Sequence, residues 1–277
     1  MNKIQIFGGH GYVGGNYAKF VRDAIVVEKT DYTVNKNASD VVYFISTVSN
    51  YNVLNDPYLD INTNLTLLMR ILEQCKNTNT VFNFISSWFV YGDTAVPAFE
   101  TSYCNPKGFY SITKRTAEQL LVSFCETFNI KYRILRLANV VGGHDPKASA
   151  QKNALTFLIN QLKNGRDIKL YDNGNLYRDY IHNNDVAAAI NLIIEKGPIN
   201  EIYNISNGVP YLFKDIIHKA HKLIHNPGKI VSISIPNFHK TVQVHSMWMN
   251  NDKIKLLGYI PKYEIDQIIQ DLVNAEH

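Results

Sequence analysis

The feature that most narrows the fold of this chain is an alternation of short, β-branched apolar runs with longer stretches of helical periodicity. Residues 4–7, 25–27, 41–46, 81–86 and 132–137 read as strands, and residues 12–21, 64–76 and 111–128 as helices between them. Strands that are apolar on both faces and separated by helices predict an α/β chain with a parallel sheet covered by helices, not a sandwich or an array of hairpins. Beyond Gly142 the alternation loosens into a helix at 155–164, short runs at 168–171 and 202–205, and helices at 213–223 and 263–273. That change predicts two parts, 1–142 and a smaller lobe 143–277, with a soft boundary across which elements are exchanged.

Composition removes several function classes. The three cysteines, Cys75, Cys104 and Cys125, are odd in number and in no ligand spacing, so neither a disulfide framework nor a zinc site is expected and a reducing, cytoplasmic setting fits. The nine histidines form no ligand pattern and no G-x-S-x-G occurs, so no metal and no serine-hydrolase chemistry are expected. A net charge of +4, from 28 basic and 24 acidic residues, is spread without basic runs and gives no reason to expect nucleic acid. The start MNKIQIFGG is too brief in its apolar stretch for a signal peptide or a membrane span.

Directly after the first predicted strand, Gly8, Gly11 and Gly14 recur every third residue, with Tyr12 and Val13 between the last two. Glycines at such a turn permit positive φ and let backbone N–H groups approach a pyrophosphate, while the following helix N-terminus attracts the anion. At the end of the second strand Glu28 is placed to accept ribose hydroxyls, and Lys29 beside it to pair with a 2′-phosphate instead.

Further on, Tyr110 and Lys114 stand four apart at the start of a predicted helix, one turn from each other. A phenol and an ammonium so placed suit reversible proton exchange at a hydroxyl that is losing or gaining hydride. Free tyrosine titrates near ~10, so the positive charges of Lys114 and of an oxidised nicotinamide are expected to lower it. Ser87, at the C-terminal end of the strand 81–86, is placed to hydrogen-bond the same oxygen.

Together these segments resemble the extended short-chain dehydrogenases of the NAD-dependent sugar-nucleotide epimerase/dehydratase family, nearly end to end. The likeness rests on the glycine turn, Ser86-Ser87 leading to Val90-Tyr91-Gly92, Tyr110 with Lys114, Arg136 with Asn139-Val140 and Gly142, and Arg178-Asp179-Tyr180-Ile181-His182 followed by Asp185-Val186. Tyr203-Asn204-Ile205, Leu257-Gly258-Tyr259 and Pro261 match its later landmarks. The resemblance implies a Rossmann-type domain with a smaller C-terminal substrate-binding lobe, and NAD(H) in preference to NADP(H). It implies Ser87, Tyr110 and Lys114 as catalytic residues, with Lys114 also on the nicotinamide ribose. Thr47 would line the coenzyme cleft, and Asn64 would brace the sheet beside it as part of the coenzyme site. Asn139 and Arg178 would contact a nucleotide sugar, with Trp88 and Phe89 walling the sugar. A homodimer through a four-helix bundle of residues 64–76 and 111–128 is also implied, with His182 structural.

Three departures from the family pattern bear on the reaction. Only a dozen residues separate Glu28 from the next strand, where larger members insert a strand and helix over the adenine. Ser87 is followed by Trp88-Phe89 in place of the Asp-Glu pair of the 4,6-dehydratases, which argues against dehydration. Residues 242–248 lack the arginine that many epimerases place near the phosphates. The resulting expectation is reduction of a 4-keto (6-deoxy) sugar nucleotide, with 4-epimerisation the competing reaction and a non-catalytic dinucleotide-binding relative the competing class.

Overall fold

The computed structural model describes residues 3–275 except His144 and Pro146. Its first half runs β1 (Ile4–Phe7), α1 (Tyr12–Phe20), β2 (Ile25–Val26), β3 (Asp40–Tyr43), α2 (Tyr58–Ile61), α3 (Leu67–Glu73), β4 (Val81–Ser87), α4 (Phe109–Phe128) and β5 (Tyr132–Leu137). The predicted strand 41–46 stops at Tyr43 because β1, its partner, ends at Phe7 where Gly8 turns the chain away. The predicted helix 64–76 begins earlier, at Tyr58. It passes through a wider π-helical turn at Asn62–Thr66 before α3.

The second half adds β6 (Asn139–Val141), α5 (Ala154–Lys163), β7 (Ile168–Tyr171), β8 (Tyr177–Arg178), β9 (Tyr180–His182), α6 (Asn183–Lys196) and β10 (Glu201–Ile205). It ends with β11 (Tyr211–Leu212), α7 (Phe213–Leu223), β12 (Ile230–Ile233), α8 (Asn237–Val242), α9 (Asp252–Lys255) and α10 (Ile265–Asn274). Six strands form one parallel sheet in the order β10-β5-β4-β3-β1-β2, so β10 returns to the sheet of the first half and pairs with β5 from Glu201 to Ile205. The remaining strands form three small pairs, β6 with β9, β7 with β12 and β8 with β11.

Because successive strand side chains alternate between faces, Ile4, Ile6 and Val42 join Tyr17 of α1 and Ile190 and Ile193 of α6 on one side of the sheet. Phe7, Val41 and Tyr43 meet Leu68 and Ile71 of α3 and Leu121 and Cys125 of α4 on the other. A third core joins Leu155 and Ile159 of α5, Ile216 and Ile217 of α7 and Ile268 and Leu272 of α10. No helix among the described residues is long and apolar enough to cross a membrane.

One fully buried carboxylate sits where α4 meets the ends of β4 and β5. Glu118 accepts from Arg136 Nε at 2.9 Å and Nη2 at 2.7 Å, from Ser86 Oγ at 2.6 Å and from Arg115 Nη1 at 2.8 Å. Burial would raise such an acid, yet these bonds hold its carboxyl below the usual range. Glu118→Ala strands the Arg136 cation and is expected to cost about 3–5 kcal/mol of unfolding free energy, with Arg136→Met in the same chain recovering part of it. Denaturant titration of the single and double variants checks this, and a loss under about 1 kcal/mol in the single variant is the contrary result.

Candidate active site

The glycine turn has the backbone its spacing predicts. Gly8 adopts φ +79°, Gly11 N–H donates back to the Gly8 carbonyl at 3.0 Å, and α1 starts at Tyr12 with no side chain capping it and no acid in its first turn. A Cβ on Gly14 would lie 2.4 Å from the Gly8 oxygen, so only glycine lets the helix come this close to the strand. Uncapped N–H groups on a helix that approaches this tightly fit a pyrophosphate. Val13 lines the cleft that opens here, and Tyr12 lines it while its hydroxyl donates to the Gly142 carbonyl at 2.6 Å.

Glu28 and Lys29 follow β2 as exposed residues outside the cleft lining. The Glu28 carboxylate instead lies 3.3 Å from Nε2 of His10, a cleft residue inside the glycine turn that sequence reasoning passed over. Its position among the glycines was the only signal available.

Ser87, Tyr110 and Lys114 line one cleft of about 1730 Å³ that also includes the glycine turn, Asn139 and Arg178. Ser87 ends β4, where its Oγ accepts the Phe89 N–H at 3.3 Å. Tyr110 and Lys114 lie in the first turns of α4, which starts after Gly108 at φ +80°. Lys114 is 2% exposed, donates to the Ile85 carbonyl at 2.7 Å and sits 4.1 Å over the Phe84 ring.

The protein's own groups do not by themselves supply the expected lowering of the tyrosine. Burial pushes the Tyr110 phenol up to about 12, against hydrogen bonds from Ser87 and Ser46 that oppose the rise. Burial likewise pushes Lys114 down to about 7, against the pull of the Glu118 charge. With the ammonium turned to a backbone carbonyl and both groups dehydrated, desolvation is the largest influence on each and the neutral forms gain.

Two expected coenzyme contacts lie behind the cleft wall. Asn64 is buried and accepts from Ser46 Oγ at 3.0 Å and from Thr47 N–H at 2.9 Å, while its Nδ2 donates to Thr47 Oγ1 at 2.8 Å and Thr113 Oγ1 at 3.0 Å. Thr47 is therefore turned to Asn64, and neither lines the cleft, whereas their neighbours Ser46 and Val48 do. Asn64 thus braces the loop after β3 against α4.

Next to Ser87, Trp88 and Phe89 stack at 3.9 Å, and Phe89 meets the Tyr110 ring edge-on at 5.7 Å. Asn139 donates to the Asp179 carbonyl at 2.9 Å. Arg178 forms no salt bridge with Asp179. It donates to the carbonyls of Tyr177, His245 and Val244 at 2.6–2.9 Å and lies 5.2 Å over Trp88. His182 Nδ1 accepts the Asn184 N–H at the start of α6, which leaves Nε2 to donate to Asp271 at 3.3 Å, a structural bond.

Asp179, by contrast, is 1% exposed and accepts from the N–H groups of Asn207 and Gly208 at 3.1 Å and Met249 at 3.4 Å. Burial pushes its carboxyl up to about 7 in spite of those bonds. A folded-state value above the unfolded ~3.9 gives stability that is full below pH ~4 and lost as pH rises through about 7. Asp179→Asn is expected to gain stability relative to the parent between pH 5 and 8, read as the difference in Tm, and a difference that stays constant with pH is the contrary result.

The profile of the NAD dependent epimerase/dehydratase family matches residues 4–206, and the chain belongs to that family. A Methanocaldococcus jannaschii protein named "Putative UDP-glucose 4-epimerase" is 26% identical over 93% of this chain and 83% of its own length. A Dictyostelium discoideum dTDP-D-glucose 4,6-dehydratase is 26% identical over 79% of this chain, which spans 61% of that relative. Among solved structures, Thermus thermophilus UDP-glucose 4-epimerase in complex with NAD superposes with TM-score 0.81 at 20% identity over 99% of this chain and 100% of the other. RMD from Pseudomonas aeruginosa complexed with NADPH gives 0.82 at 17% identity over 99% and 98%. At these identities the structural likeness shows the Rossmann fold.

Proposed function

We propose that this chain transfers a hydride between a nicotinamide coenzyme and C4 of a nucleotide-activated sugar, with reduction of a 4-keto (6-deoxy) sugar as its net reaction. The observation that carries the chemistry is the meeting of Ser87, Tyr110 and Lys114 in the cleft that begins at the glycine turn. The Gly8–Gly14 turn and α1 fit the pyrophosphate of such a coenzyme. NAD(H) is favoured and NADP(H) is the alternative, a choice supported by the family profile and by relatives solved with NAD and with NADPH. The bound nicotinamide supplies the hydride.

Ser87 Oγ holds the carbonyl oxygen, and Tyr110 delivers the proton that oxygen needs. Burial pushes the phenol up to about 12, so in the protein alone it holds the proton that it would deliver. Trp88 and Phe89 offer an apolar wall beside Ser87 for a 6-methyl group. Because Ser87 is followed by these two aromatics and by no acid–base pair, elimination is not part of the reaction. The lobe beyond residue 142 contributes Arg178 to the nucleotide side, and a homodimer is supported by exposed Ile112 and Leu120 on α4 and Leu59 and Ile61 on α2.

A second reading, 4-epimerisation on retained NAD, is favoured by the epimerase names of the relatives. Adding a 4-keto-6-deoxy sugar nucleotide and NADH or NADPH to the purified protein decides between them. Stoichiometric loss of the reduced-nicotinamide absorbance carries the reductase. Protein that arrives with NAD bound and interconverts C4 epimers with no net absorbance change carries the epimerase, and a flat trace with every sugar nucleotide leaves a non-catalytic relative.

Tyr110→Phe is expected to lower turnover about 10²–10⁴-fold while coenzyme affinity stays near the parent value, since only the proton-transfer group is lost. The Lys114 ammonium is lost as pH rises through about 7, so the parent's reduction rate should fall on that side. Lys114→Arg keeps its charge throughout and should remove that limb. Steady-state rates from pH 5.5 to 9 check both, and an unchanged alkaline limb in Lys114→Arg contradicts the assignment.

A further inference from the structure

Asn50, in the loop that leaves β3, is 2% exposed and makes bonds that the proposed chemistry does not use. Its Oδ1 accepts the Ser111 N–H at 3.1 Å, and its Nδ2 donates to the Val242 carbonyl at 2.9 Å and lies 3.1 Å from Ser111 Oγ. Ser111 follows Tyr110 in the first turn of α4, where the N–H groups have no helical acceptor. Gly108, the cap residue, has no side chain to serve them. The turn is shaped around Asn50 as well, since a Cβ on Gly108 would fall 2.6 Å from the Asn50 amide.

The other end of this bond is the far wall of the cleft. Val242 closes α8, and Gln243 after it and His239 within it both line the cleft. Tyr51, next to Asn50, doubles the link: its hydroxyl lies 2.6 Å from His239 Nδ1 and its ring packs edge-on against Phe238 at 5.1 Å. Residues 50 and 51 thus grip α8 and the catalytic helix together, although 192 positions separate Asn50 from Val242.

We propose that Asn50 is a positioning residue for Tyr110, fastening the first turn of α4 to the end of α8 so that the proton donor keeps one spacing from the opposite wall of the cleft. The inference rests on the reading of Tyr110 as the proton donor. The two grips need an acceptor for Ser111 N–H and a donor for the Val242 carbonyl on separate atoms of one short side chain, which asparagine supplies. Aspartate keeps the acceptor and suits a helix N-terminus, but it has no donor and sets a charge against the Val242 carbonyl. Asn50→Asp therefore separates the two grips, and Asn50→Ala removes both. A displacement of ~1 Å at a reacting group costs about 10²-fold in rate, so a loosened α4–α8 link should be visible in turnover.

The test is hydrogen–deuterium exchange of the full-length protein, resolved by peptide, beside steady-state kinetics and coenzyme titration. In Asn50→Asp, peptides covering 109–113 should keep parent-like exchange while those covering 237–243 exchange at least tenfold faster. Turnover should fall tenfold or more with coenzyme Kd within about twofold of the parent. In Asn50→Ala both segments should exchange faster. Parent-like turnover together with parent-like exchange at 237–243 in Asn50→Asp overturns the proposal, as does exchange raised evenly over the whole chain, which is the mark of a merely structural role. If the parent protein turns over no sugar nucleotide, the functional reading fails, and the exchange pattern still decides whether Asn50 couples α4 to α8.

Discussion

The carboxylate of Glu118 governs how the site is assembled, because its bonds tie α4 to both β4 and β5. Arg136 reaches it from β5, Ser86 from β4, and Arg115 from its own helix. Ser86 precedes Ser87, and Glu118 lies one turn after Lys114, so these bonds set the strand-end hydroxyl against the helix that carries Tyr110. A buried ion pair contributes little net stability, since desolvation offsets most of its attraction. Its value here is geometric, in that an α4 shifted by one turn would carry the buried carboxylate away from Arg136 and Ser86.

The same desolvation that makes the pair selective sets the character of Lys114 and Tyr110. Lys114 lies in the same dry layer, and the Glu118 charge that favours its ammonium is already shared with two arginines. The Ser87 and Ser46 hydroxyls favour a Tyr110 phenolate, but burial first and the Asp60 charge after it disfavour one. The protein on its own therefore holds a neutral acid at the site. A neutral acid at working pH is what protonation of a carbonyl oxygen requires.

Much of this is legible in the sequence. The order of strands and helices follows from apolar periodicity, and Ser87, Tyr110 and Lys114 follow from strand-end and helical spacing. Other features depend on where side chains turn, which no spacing reveals. Thr47, expected in the cleft, faces Asn64 instead, and Glu28 meets His10 on the surface. The return of β10 to the main sheet and the Asn50–Val242 bond join residues far apart in the chain, so local pattern carries no trace of them. The Tyr110 shift has a related cause: Lys114 one turn away can be counted in a sequence, and the burial that raises the phenol cannot.

The short segment between β2 and β3 shows how the sheet closes where larger relatives continue it. Gln5 donates from β1 to the Thr33 carbonyl and accepts the Asn35 N–H, both at 2.8 Å, and Gln74, just past α3, accepts the Val34 N–H at 3.1 Å. With Val34 and Ala38 buried, the loop supplies apolar cover and saturates the polar groups around it, so β2 can remain the edge strand at only two residues. Glu28 and Lys29 lie beyond that edge, exposed, with no further strand or helix following them before β3. A dinucleotide held by the glycine turn would have its pyrophosphate gripped and its adenosine end open to solvent. Such a site would favour exchange of coenzyme over retention, and that is the support it lends to the proposed reduction.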